Sequence, residues 1–160
     1  MVKNKWRHSW VGLLLFCACE QMVIYQHTIA LAHCYWPVAE VLNFSFQIKD
    51  ITPTYDIFLV VSNTQDYPYQ NLHITCYLED DAGHLTHQAL KNWALFDLKT
   101  GRPLGSGLWK SQKHELSMIK GHQFTHPGLY TVKLEHFMRT AMLPGFQAIG
   151  IKVAPSKQRP

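Results

Sequence analysis

The chain has 160 residues, 47% of them apolar, with 15 Lys and Arg against 11 Asp and Glu and a net charge of +4. That is one ordinary domain with room for a proper core. Lys3, Lys5 and Arg7 carry much of the positive excess, so the chain that follows is near neutral and its charge does not argue for nucleic-acid binding.

Those three cations precede an apolar run from Trp10 to Ala18 that stops at Cys19. A basic start, a short apolar stretch and a small residue before a cleavage point make a secretory signal. Nine apolar residues are too few to span a bilayer, which needs ~20. A cysteine directly after Ala18 points to a bacterial lipoprotein signal over 1–18, in which the Cys19 thiol is lipidated and becomes the new N-terminus. Cys17 is the competing anchor, but Phe16 before it is a poor cleavage residue. A plain signal peptide and an N-terminal core helix are the alternatives.

Residues 19–40 read as a leader, apolar at Met22-Val23-Ile24-Tyr25 and broken near its end by Trp36-Pro37. Beyond it the period becomes two. Leu42, Phe44, Phe46 and Ile48 alternate with Asn43, Ser45 and Gln47, a half-buried strand with one wet face. Asp50 to Thr54 turns the chain around Pro53. Tyr55 to Val61 is apolar on both faces, as in a central strand. Ser62 to Asn71, with Pro68 inside it, reads as a loop. Leu72, Ile74, Cys76 and Leu78 give a third alternating strand, and Asp80 to Gly83 a turn. Strands are further predicted over Ala89 to Phe96, His114 to Ile119, Leu129 to Phe137, and around Ile149, Ile151 and Val153. Asp97 to Gly107 is a glycine-rich connection, Met138 to Gly145 a loop or helical turn. The pattern predicts an all-β fold, an antiparallel β-sandwich of about seven to eight strands over 41–154 followed by a loose tail at 155–160, with an open barrel as the alternative.

Ten histidines invite a metal, but their spacing does not make one. His73 and Cys76 are three apart on a strand and face opposite ways. His84 and His87 flank one turn, and His122 and His126 lie in another. No Cys-x-x-Cys or His-Glu-x-x-His is present, so no metal or other cofactor is expected. Glu79-Asp80-Asp81 lacks the remainder of a calcium loop. No Gly-x-Ser-x-Gly elbow and no nucleophile–base pair at readable spacing point to catalysis. Cys34 and Cys76 are expected as two separate thiols rather than a disulfide. The loop Asp66-Tyr67-Pro68-Tyr69-Gln70-Asn71 is the most suggestive segment. Its tyrosines suit stacking on a sugar or anchoring a protein, and equally suit covering a sheet edge.

Ser62-Asn63-Thr64-Gln65-Asp66-Tyr67-Pro68-Tyr69-Gln70-Asn71-Leu72 resembles the RNT-x-x-YPY-x-NL segment of the GldH-type gliding-motility lipoproteins of Bacteroidetes. Other pieces fall in the same order. Cys19-Glu20, with Val23 and Tyr25, is similar to the family's mature N-terminus. Asp97-Leu98-Lys99-Thr100-Gly101-Arg102-Pro103-Leu104-Gly105-Ser106-Gly107 resembles its Asp-x-x-Gly-x-x-x-Gly-x-Gly stretch. Phe137-Met138-Arg139, Leu143-Pro144-Gly145 and Ile149-Gly150-Ile151 resemble its ending. Ser62 stands where the family has Arg, Phe137 where it has Ala, Lys152 where it has Arg, and residues 80–92 match poorly.

The resemblance implies a periplasm-facing envelope lipoprotein, anchored to a membrane through lipid on Cys19, with no enzymatic activity. It implies other envelope proteins of the gliding and type IX secretion apparatus as partners. Tyr67, Tyr69, Asn71 and Arg139 are the candidate partner contacts. Arg139 has an internal hydrogen bond as its alternative role. The rival functions are a carbohydrate-binding envelope lipoprotein using Tyr67 and Tyr69, and a hydrolase with an unrecognised site.

Overall fold

The structure is a computed structural model and describes residues 22–108 and 110–157. The anchor candidates Cys19 and Cys17, and the signal over 1–18, lie outside the described residues.

Eleven strands are present among the described residues: β1 (Tyr25–Ala30), β2 (Tyr35–Pro37), β3 (Leu42–Ile48), β4 (Tyr55–Asn63), β5 (Asn71–Glu79), β6 (Leu85–Ala94), β7 (Ser106–Leu108), β8 (Ser111–His122), β9 (Gly128–His136), β10 (Met142–Pro144) and β11 (Phe146–Pro155). They form a five-stranded sheet in the order β1-β11-β4-β8-β7 and a four-stranded sheet in the order β3-β9-β5-β6. A two-stranded ribbon joins β10 and β2. All pairings are antiparallel. The fold is all-β and sandwich-like, as the alternation predicts.

Alternation explains the layers. β3 buries Leu42, Phe44, Phe46 and Ile48 and exposes the residues between them. β5 and β9 bury Leu72, Ile74, Cys76, Leu78 and Tyr130, Val132, Leu134, with half-buried residues between them. These side chains meet Tyr55, Ile57, Leu59 and Val61 of β4 and Ile149, Ile151 and Val153 of β11 in one apolar core. β4 is the central strand its composition predicts, held between β11 and β8. β8 shifts register against β4 on either side of Ile57. Such an irregularity re-aims neighbouring side chains, and both Met118 and Ile119 are buried there.

The sequence reading differs from the structure at the edges. The segment expected as a leader over 19–40 contributes β1, which pairs with β11 from Tyr25↔Val153 to Ala30↔Ala148. Gly150 makes that pairing possible: a Cβ there would run into the carbonyl oxygen of His27 and the Thr28 backbone. Trp36, expected to break structure, is fully buried and its indole Nε1–H donates to the Glu40 carbonyl at 2.9 Å. The loop expected over Met138 to Gly145 contains β10, and β11 runs on to Pro155, into the expected tail. The three-residue strands account for the higher strand count.

The sandwich has two distinct ends. At the proximal end lie the start of β1 and the connections 49–54, 80–84 and 123–127. At the distal end lie the connections 31–41, 64–70, 95–105 and 137–145. Every segment that carries the family resemblance beyond Tyr25, apart from Ile149-Gly150-Ile151 in the middle of β11, reaches the distal end.

Candidate functional site: the distal end of the sandwich

The loop after β4 is folded by its own polar groups. The Asp66 amide donates to Thr64 Oγ1 at 3.2 Å, and the Tyr67 amide to the Thr64 carbonyl at 3.4 Å. The Thr64 amide in turn donates to the Gly145 carbonyl at 2.7 Å, which ties the loop to the segment before β11. Leu95 and Phe96 donate their amides to the Gln70 carbonyl at 2.8 and 3.2 Å. Three stretches far apart in sequence, 64–70, 95–103 and 144–146, are thereby joined.

Tyr67 is the pin of this junction. It is 4% exposed, and its hydroxyl donates to the Asn71 carbonyl at 2.6 Å. Its ring packs against Phe146 with centroids 4.8 Å apart, Tyr69 at 5.7 Å and Phe96 at 6.4 Å. Burial, reinforced by the neighbouring Tyr69, pushes its phenol pKa up, so the hydroxyl stays a donor. Of the two roles the sequence leaves open for Tyr67, packing is the one its position describes.

The connection after β6 is capped by Asp97. Its Oδ1 accepts from the Thr100 amide at 2.7 Å, the Thr100 hydroxyl at 2.8 Å and the Lys99 amide at 3.0 Å. Those bonds favour the charged form and hold its carboxyl below the usual range. Phe96 and Pro103 form a bridge that closes the turn, and Gly101 takes a φ of +67° inside it.

Two grooves result. One, of about 530 Å³, is lined by Tyr69, Phe96, Arg102, Pro103 and Gln112 among others. The second, of about 460 Å³, is lined by Tyr69, Asn71, His73, Leu90, Phe137, Met138 and Arg139. Tyr69 belongs to both. Three of the four residues singled out from sequence, Tyr69, Asn71 and Arg139, therefore line the second groove, and Tyr67, though largely buried, lines the first beside Tyr69.

The second groove is polar along one side and apolar along the other. Asn71 Nδ2 donates to His73 Nε2 at 2.9 Å and to Asn92 Oδ1 at 3.4 Å. The His73 amide lies 3.4 Å from the Met138 sulfur, and the Phe137 amide donates to the His73 carbonyl at 2.8 Å. Phe137 itself stands 68% exposed and Leu90 55%. Arg139 is exposed and joins no ion pair among the described residues. Behind the groove, His136 Nε2 donates to the Trp36 carbonyl at 3.1 Å and its Nδ1 accepts from the Met138 amide at 3.4 Å. Sequence reasoning missed Leu90, Phe137 and Met138 as lining residues. The available signal was the position of Phe137: it falls in step with Thr131, Lys133 and Glu135, on the polar side of the alternation set by Tyr130, Val132 and Leu134.

A different group brings metal-ligating atoms together. One atom each from Asp80, Asp81 and His126 lies within 4.8 Å of the others, where two proximal turns meet. His126 Nε2 is 3.7 Å from Asp81 Oδ1. Asp80 already accepts from the His84 and Ala82 amides at 2.8 and 3.0 Å, and its other oxygen meets His84 Nδ1 at 3.2 Å. These bonds describe a self-capped turn with the His126 ring of the neighbouring turn beside it. Cys34 and Cys76 are both free.

Fold and site together define an all-β domain whose distal loops build a two-groove surface. The GldH lipoprotein family profile matches residues 23–153, and the chain belongs to that family. A gliding motility lipoprotein GldH homologue from Christiangramia forsetii is 25% identical over 129 residues, 79% of this chain and 76% of its own. Among solved structures, the VP2 subviral particle of infectious bursal disease virus aligns with a TM-score of 0.41 at 14% identity over 86% of this chain and 33% of its own. Dimeric latent PorU from Porphyromonas gingivalis aligns with a TM-score of 0.36 at 8% identity over 85% of this chain and 13% of its own. Neither likeness is close enough to carry a functional argument. The family makes this a gliding motility lipoprotein, membrane-anchored in the cell envelope. No helix among the described residues is long and apolar enough to cross a membrane.

Proposed function

We propose that this protein acts by binding, as a periplasm-facing accessory or assembly component of the gliding machinery linked to type IX secretion, held to its membrane by lipid on Cys19. One observation carries the reading: most segments that resemble the family reach the distal end, and there they build a surface with an accessible tyrosine, an exposed phenylalanine and an arginine that joins no ion pair among the described residues. Such a mixture of aromatic anchors and Arg is the composition of protein-binding hot spots. More than one acyl chain on the anchor suits a permanent attachment, since a single chain gives only marginal binding. The partner contacts are Tyr69, Asn71 and Arg139. Tyr67 supports them from below.

The carbohydrate-binding alternative needs two tyrosine faces for stacking; Tyr67 and Tyr69 both line the first groove, but Tyr67 is 4% exposed and offers little of its ring. Affinity purification from gently extracted membranes, followed by mass spectrometry, tests the adapter reading. Gliding or type IX components should be recovered with the parent chain and lost with Tyr69→Ala and Arg139→Ala. A clean monomer under the same extraction would count against it. For the anchor, fatty-acid labelling should disappear in Cys19→Ser; label that persists would place the lipid elsewhere.

A further inference from the structure

The two ends of the sandwich are chemically unlike. At the proximal end His84 meets Asp80 within one turn and His126 reaches Asp81 across two. At the distal end Arg102 and Arg139 join no ion pair among the described residues. Exposed large apolar side chains also gather there: Tyr35, Val38, Leu98, Leu104, Phe137 and Met142. Singly such residues need no explanation, but several at one end mark an interaction surface. The proximal end has its own run at Met22, Val23 and Ile24, all exposed and directly after the anchor segment.

Distances fix how these ends can face. The sandwich's backbone pairing begins at Ile24, whose amide donates to the Val153 carbonyl at 3.0 Å. Five Cα steps separate Ile24 from Cys19, and fully extended they span about 18 Å at most. β11 runs from Phe146 at the distal end to Pro155 at the proximal end, about 30 Å at ~3.3 Å per residue. The tether is shorter than the domain. The domain therefore cannot invert so that its distal end faces the bilayer and its proximal end points away; the tether leaves it upright or tilted.

We propose that the domain is a spacer. Met22 to Ile24 and the proximal turns rest at the bilayer surface, and the distal end is held about 30 Å away from it. There it meets a protein surface that pairs apolar side chains with carboxylates complementary to Arg102 and Arg139. The orientation rests on the anchor assigned above, and it excludes the juxtamembrane part of a partner in the same bilayer as the contact.

The test uses the full lipidated chain in proteoliposomes, with Cys34→Ser to remove the accessible native thiol. A fluorophore is placed at Lys49→Cys, in the proximal end, or at Leu98→Cys, which is 73% exposed at the distal end. Lipids carrying a headgroup nitroxide should quench the label at position 49 strongly and leave the label at 98 nearly untouched. Equal quenching, or the reverse order, overturns the orientation. A chain that fails to enter the vesicles removes the anchor and the proposal with it. Photo-crosslinkers at the same two positions in cells give an independent readout: capture of a protein from 98 and not from 49 supports the distal contact, and capture from 49 alone overturns it. Ordered quenching with no capture from either position would uphold the spacer and sink the adapter reading.

Discussion

Gly145 faces the backbone of Tyr67 so closely that a Cβ at Gly145 would lie 2.5 Å from the Tyr67 nitrogen and 2.6 Å from its Cα. Gly145 also has a φ of +87°, a conformation side chains resist. The glycine that ends the Leu-Pro-Gly segment thus decides how the Tyr-Pro-Tyr loop sits. Gly145→Ala should lose about 1–2 kcal/mol from the backbone conformation alone, with more from the contact. With a urea slope of about 1–3 kcal/mol/M, the midpoint should fall by roughly 1 M. An unchanged midpoint would refute this account of the junction.

Tyr67 and Tyr69 should separate cleanly. Tyr67→Phe removes the hydroxyl that reaches the Asn71 carbonyl and should cost about 1 kcal/mol of stability. Tyr69→Ala should leave the urea midpoint nearly in place and weaken partner capture tenfold or more, about 1.4 kcal/mol or above. Loss of capture in Tyr67→Phe at full stability would reverse the two roles.

Acid should destabilise the domain. Burial lowers the pKa of His114, His122 and His136 in the folded chain below the ordinary 6.5, His122 further through its neighbour His87. Below about pH 6.5 the unfolded chain then binds protons that the folded chain refuses, so stability is whole above that pH and falls as pH drops toward the folded-state values. His114 Nε2, which lies beneath Gly105, has no hydrogen-bond partner among the described residues. Urea midpoints measured from pH 8 to 5 should decline, and His114→Leu should flatten the decline. A flat profile for the parent chain would contradict the burial argument.

The thiols should react unequally. Burial raises the Cys76 thiol to about 12, so little thiolate exists at neutral pH, and the side chain is fully enclosed in the core. Cys34 is only partly buried. Maleimide followed by peptide mapping should find label on Cys34 in the native protein and on Cys76 only after denaturation. Fast native labelling of Cys76 would mean that the four-stranded sheet opens locally.

The sequence made the central strands plain because each alternates over a buried face. β3 and β5 show their apolar residues at every second position, and β4 shows apolar residues on both faces: Ile57, Leu59 and Val61 face the core, while on the other face Val60 is buried and Lys152 lies over the Phe58 ring. β1 was invisible for the opposite reason. It is an edge strand in which only Tyr25 and Ile29 are even partly buried, and its partner β11 lies more than a hundred residues away. β2, β7 and β10 are too short to show a period. The tyrosines of the loop could be named but not told apart. Which one turns inward depends on Gly145 and Phe146, which the sequence places far downstream.

β1 attaches the domain to the segment that precedes it, and it is held by one neighbour, β11, through six residue pairs. Tension between a lipid ahead of β1 and a partner at the opposite end of the sandwich would run along the strand axes. β1 would then slide lengthwise against β11, with all of its backbone bonds stressed together. A sideways pull would instead peel it off one bond at a time. The protein is thus mechanically directional, strong along its long axis and weak across it, which suits a part fixed at one end to a membrane and at the other to something that moves.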